Sequence, residues 1–218
     1  MKKYMRLTVV VIVIFLTGLT VQATTTPSFF EGGLAVNQDI DDSLLMLALV
    51  YQTQGEMDAA LEQYQKYLKR NPEEVWVQVL IGDIQKERGY FEEAALAYQT
   101  ALESGDYAKG FYGMARILFV KAQYEEAIVA LKTSLEIAPN YVKARLLLGQ
   151  LYYLFQDYDE AYEELSLALQ YNPFVPMTHY YLGLVYEQQG EMERAVHAWE
   201  RALQLDPHYQ RAVRKLYH

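Results

Sequence analysis

The sequence predicts an all-α protein, a stack of five helical hairpins closed by a short final helix, and three observations predict it. Ala60, Ala94, Ala127, Ala161 and Ala195 recur at intervals of 34, 33, 34 and 34 residues. Four residues after each comes Tyr64, Tyr98, Leu131, Leu165 or Trp199, and three further on Tyr67, Ala101, Ser134, Ala168 or Ala202, so each set shares one helical face. Twelve residues before each alanine stands another small residue, Ala48, Gly82, Ala115, Gly149 or Gly183, which places a first helix close against the second. Punctuation agrees. Pro72, Pro139, Pro173 and Pro207 fall where a helix must already have ended, and Gly55, Gly89 and Gly190 stand between the two helices of a unit.

Taken in order, Lys2, Lys3 and Arg6 precede an uncharged, mostly apolar run over residues 7–21, and Val21-Gln22-Ala23 supplies small residues for a signal peptidase. Residues 1–23 are therefore expected to be a cleaved signal peptide. The competing reading is an inner-membrane anchor through 7–21, a run shorter than the roughly 20 residues that span a bilayer. Residues 24–40, with Pro27, Gly32 and Gly33, read as a flexible leader. Hairpins follow at 41–74, 75–107, 108–141, 142–175 and 176–209. At the 33-residue interval the junction reads Glu103-Ser104-Gly105-Asp106-Tyr107, without a proline, and predicts a helix end capped by Gly105. Residues 210–218 read as a capping helix, with Ala212, Val213 and Leu216 on one side and Arg211, Arg214 and Lys215 as its polar backing.

In this pattern the chain resembles a tetratricopeptide repeat (TPR) protein of an exported bacterial type, over residues 41–209. The resemblance implies a right-handed α-solenoid whose first helices line a concave groove for a partner protein or peptide. By phase within the repeat, the groove should carry Trp76 from the second unit, Lys109, Tyr112, Arg116 and Phe119 from the third, Lys143 and Tyr153 from the fourth, and Tyr180 and Leu184 from the fifth. Tyr181 joins them as a tyrosine that no recurring packing slot explains, whereas Tyr90, Tyr124 and Tyr158 fill such a slot. The family's clamp for a C-terminal carboxylate needs lysine, asparagine and arginine where this chain has Leu45, Leu49, Leu80, Lys109 and Gly113; only Lys109 agrees.

Composition narrows function further. The formal charge is −9, and loss of residues 1–23 takes it to −12, which argues against nucleic acid and against charge-driven binding to anionic lipid. With no cysteine there is neither a disulfide framework nor a lipid-modified N-terminus. Phosphate-loop and nucleophile-elbow motifs are lacking, no cofactor is implied, and His179 and His197 read as packing and surface residues with no ligand partners at metal spacing. Glu92-Glu93, Glu125-Glu126 and Glu163-Glu164 read as solvated carboxylates at the positive ends of second helices, not as an acid-base pair.

The first helix, Leu44 to Val50, is apolar all round. Something is expected to cover it, either Phe29, Phe30, Leu34 and Val36 folding back or a second copy docking on the first repeat. The function that results is a non-catalytic, periplasmic or secreted interaction scaffold, touching the membrane only if the N-terminal segment is uncleaved. The alternative is a carrier or sensor of a small apolar or aromatic ligand beside a transport or assembly system.

Overall fold

Paired helices repeat along the chain for one local reason: each second helix lays a bulky side chain on a small residue of the first. The computed structural model describes residues 33–105 and 107–217, with side chains from residue 40 onward. Among these residues there are eleven helices and no strand: α1 Gly33–Gln54, α2 Met57–Arg70, α3 Val77–Glu87, α4 Phe91–Ser104, α5 Ala108–Val120, α6 Tyr124–Ile137, α7 Val142–Leu154, α8 Tyr158–Tyr171, α9 Pro176–Gln188, α10 Met192–Leu205 and α11 Gln210–Tyr217. Residues 39–218 form one unit; of residues 1–38 the described part is the start of α1. The expected signal peptide and residues 24–32 of the leader lie outside the described residues. Residues 33–40, expected as leader, are helical.

All five phase-setting alanines have no exposed surface. A methyl group added at Gly149 would lie 2.7 Å from Leu165, and one at Gly183 only 2.4 Å from the Trp199 indole nitrogen. Tyr98 is held from two sides, because a Cβ at Gly82 would fall 2.7 Å from its ring and one at Gly113, in the next hairpin, 2.3 Å. Each fully buried aromatic or aliphatic side chain of this kind contributes about 1.5–3 kcal/mol. The glycines admit the rings by having nothing there.

Every hairpin turn closes in the same way. The amide of Glu56 donates to the Tyr51 carbonyl at 2.9 Å and that of Gly55 to Gln52 at 3.1 Å, a Schellman pair repeated by Tyr90 with Gly89, Gln123 with Ala122, Asp157 with Gln156, and Glu191 with Gly190. Its central residue is left-handed, with φ of 80°, 83° and 80° at Gly55, Gly89 and Gly190 but 58° at Ala122 and 67° at Gln156, where no glycine marks the turn.

Three expectations need correction. Gly105 ends α4 with φ of 176°, which is extended backbone that any residue adopts, so no left-handed glycine cap forms there. The Tyr107 ring instead packs where a Gly105 Cβ would sit, at 3.1 Å. Glu163 and Glu164 lie in the second turn of α8, and Glu164 pairs with Arg145 at 2.6 Å instead of meeting the helix dipole. Tyr90 is 47% exposed and lies 4.9 Å under the Arg88 guanidinium, so its slot is a surface one.

Second helices otherwise behave as expected, with Asp58, Glu92, Glu93, Glu125, Glu126, Asp159, Glu160 and Glu193 in their first turns. Packing continues between hairpins, α4 against α5, α6 against α7, α8 against α9 and α10 against α11. The last contact buries Ala212 completely. Ile40, Leu47 and Val50 of α1 are each about two-fifths exposed, at 43%, 40% and 42%.

Candidate functional site

The residues assigned to the groove separate into two places. In the second and third hairpins, Trp76 precedes α3, packs half-buried against the core of Leu45, Tyr64 and Val77, and donates its indole N–H to Glu74. Beneath it in sequence, Tyr98 reaches the inner face and donates its hydroxyl to Asp83 at 2.7 Å; Lys86 donates to the same carboxylate at 2.5 Å and to the tyrosine oxygen at 3.1 Å. Burial, reinforced by Asp83, pushes the Tyr98 phenol far above its ordinary pKa. Tyr112 meets Tyr141 edge-on at 5.2 Å, and burial raises the pKa of both. Lys109, Arg116 and Lys143 are exposed and are not among the residues that line the cleft at the C-terminal end.

Toward the C-terminal end the structure brings Phe119, Tyr153, Tyr180 and Leu184 together. With Gln150, Leu154, Tyr181, Arg211, Arg214 and Lys215 they line a cleft of about 550 Å³. Helices α5, α7, α9 and α11 each contribute. The floor is an aromatic chain: Tyr153 lies 5.8 Å from Tyr158 and 6.2 Å from Tyr181, Tyr181 lies 5.4 Å from Tyr180, and Tyr180 lies 5.6 Å from Tyr209. These edge-on and tilted contacts hold Tyr153, Tyr181 and Tyr180 each against two neighbouring rings while the three still line the cleft. Burial raises the pKa of Tyr153 and Tyr180, so their hydroxyls are neutral donors and acceptors near neutral pH. Leu184 is only 7% exposed and contributes an edge, not a face.

Arg211, Arg214 and Lys215 of the cleft wall escape a reading that treats them as polar backing. The signal was present: positions 211, 214 and 215 are spaced by three and four, so the three cations share one face of α11, in a chain whose net charge is −9. Arg211 donates to the Tyr181 hydroxyl at 3.4 Å, and Lys215 pairs with Glu187 at 2.6 Å while lying 5.3 Å over the Trp199 ring.

No group of three histidine, cysteine or acidic residues among the described residues could hold a metal ion. His179 is tied by its Nε2 to the Pro173 carbonyl at 2.9 Å, and burial lowers its pKa. His197 is exposed on α10. Among the described residues no helix is long and apolar enough to cross a membrane.

Three family models, each described as tetratricopeptide repeat, match residues 45–109, 118–179 and 176–209, together well over half of the chain. The fold is similar to that of Pseudomonas aeruginosa pilF, with a TM-score of 0.73 and 18% identity over 82% of each chain. It is similar also to YrrB (TM-score 0.61, 20% identity, 84% of this chain and 95% of that one) and to MamA (0.61, 23%, 77% and 92%). No curated protein sequence matches this chain significantly. Repeats matched over 45–109 and 118–209, and hairpins packed through the phase-setting alanines, lead to one statement of kinship: the chain belongs to the tetratricopeptide repeat family.

Proposed function

We propose that this protein is a non-catalytic interaction scaffold that holds a segment of a partner protein in the cleft between α5, α7, α9 and α11. The observation that carries this is the convergence of Phe119, Tyr153, Tyr180 and Tyr181 on one solvent-facing cleft, where partly exposed rings offer apolar area with polar tips. The lining contains no histidine and no carboxylate, so it offers recognition groups without an acid-base pair. YrrB, similar in fold, is described as a TPR protein with an unusual peptide-binding site. The basic, then apolar, N-terminal residues 1–23 support reading the scaffold as an exported, periplasmic or secreted protein.

Crosslinking from the exported fraction tests the reading. The partner captured by the wild-type protein should be lost from Tyr153→Ala and retained by Tyr112→Ala, whose ring is engaged with Tyr141. Retention by both variants would overturn the assignment of the cleft. Mass spectrometry of the mature protein should find Thr24 as its first residue; Met1 still attached in a membrane fraction would replace export with anchoring.

A further inference from the structure

We propose that the capping helix α11 is one wall of the binding site and makes the cleft selective for a peptide segment in which carboxylates alternate with bulky apolar side chains. The inference rests on the reading of the cleft as a peptide site and specifies what the peptide must carry.

Charge bookkeeping along the stack leads to it. Several cations elsewhere pair with acids of the same chain: Arg70 with Asp41 at 2.5 Å, Arg88 with Asp58 at 2.8 Å, Lys121 with Glu92 at 3.1 Å and Arg145 with Glu164 at 2.6 Å. On α11 only Lys215 is so paired. Arg211 has a tyrosine hydroxyl for its neighbour, and Arg214 is exposed and makes no ion pair among the described residues. Two guanidinium groups therefore face the cleft with their charge unspent, beside a lining that contains no carboxylate. Guanidinium forks match carboxylates in pairs of parallel hydrogen bonds. On a chain of net charge −9, three cations on one cleft wall with no lining carboxylate favour an acidic segment there.

The rest of the cleft asks for apolar side chains. The lining also includes Phe119 and Leu154, and Leu154 is 51% exposed. Next to them Phe155 is 39% and Val120 60% exposed at the turns of the fourth and third hairpins. Apolar surface thus continues out of the cleft, where a free small acid gains nothing from it and a peptide does.

Fluorescence anisotropy with a labelled synthetic peptide of alternating Glu or Asp and Leu or Phe, against its Gln and Asn counterpart, tests this. The wild-type protein should bind the acidic peptide at least about tenfold more tightly, and Arg211→Gln with Arg214→Gln should remove that preference, bringing the two peptides to the same affinity. Equal binding of both peptides to the wild type, or a preference that survives the double substitution, would overturn the proposal and leave the peptide cleft standing. Failure of both peptides to bind would remove the cleft reading itself, as would affinity untouched by Tyr153→Ala. Phenylpropionate displacing the acidic peptide at an affinity equal to its own would replace the peptide by a small acid. Circular dichroism melting of the double variant at the wild-type temperature ties its loss to the lost charges; an unfolded variant is replaced by Arg214→Gln alone, which must still lose most of the preference.

Discussion

The inner face of the second and third hairpins and the cleft at the C-terminal end are built from similar residues and are used differently. In the middle, Tyr98 is clasped between Gly82 and Gly113, and its hydroxyl, Asp83 and Lys86 satisfy one another. At the end, Tyr153 meets Tyr181 and Tyr181 meets Tyr180 through their rings, with a long 3.4 Å bond from Arg211 to the Tyr181 hydroxyl, and the lining holds three cations and no acid. Aromatic and charged residues on a concave face are therefore not equivalent. Where they saturate each other they hold the hairpins together, and where a neighbour leaves them unsaturated they remain free for a ligand.

The largest expected effect lies in the middle. Gly113→Ala would drive a methyl carbon to 2.3 Å from the Tyr98 ring and should cost about 3 kcal/mol by urea unfolding, against about 1 kcal/mol for Tyr153→Ala in the half-buried cleft. A reversal of that order would break the contrast. Tyr98→Phe leaves Asp83 and Lys86 paired but without the phenol and should cost about 1–2 kcal/mol in the same measurement.

Alkali sharpens the comparison. An unfolded tyrosine ionises near about pH 10, whereas Tyr64 and Tyr67 in the fold are pushed up to about 12, chiefly by burial. Above pH 10 the unfolded chain binds fewer protons, so stability that is complete below 10 is lost as the pH rises through 12. Ultraviolet titration should accordingly show a cooperative step in which Tyr64 and Tyr67 are released together; a single smooth titration would contradict it.

Smaller still, Gln156→Gly should raise stability by about 0.5–1 kcal/mol, since a side chain at φ of 67° is strained and glycine is not. The smallest effect is at His179. Its folded pKa is depressed, so its contribution is present above the unfolded value near about 6.5 and is lost as pH falls, and His179→Gln should flatten the acid side of the stability profile.

What the sequence made legible follows from periodicity. The alanine phase identified the buried positions, and small residues sixteen before Tyr98, Leu165 and Trp199 announced the close contacts. Phase also assigned Phe119, Tyr153, Tyr180 and Leu184 to one face, where the structure places them in one cleft. It could not separate Tyr112, which packs edge-on against Tyr141 and is not part of that cleft, from Tyr153, which lines it. Nor could it give weight to Arg211 and Arg214. Their meaning depends on which acids stand within reach, and such partners are far away in the chain; Lys215 meets Glu187 across 28 residues. Ala122 and Gln156 show a similar limit, as backbone hydrogen bonds force a left-handed turn on residues that do not advertise one.

The central claim is that the ligand sits at the C-terminal end of the stack. Hydrogen exchange by mass spectrometry, with and without the acidic peptide, tests it most directly. Protection in Val142–Leu154, Pro176–Gln188 and Gln210–Tyr217, with Val77–Glu87 unchanged, is the result expected. Protection confined to Val77–Glu87 and Phe91–Ser104 would place the ligand over the saturated middle and contradict the account.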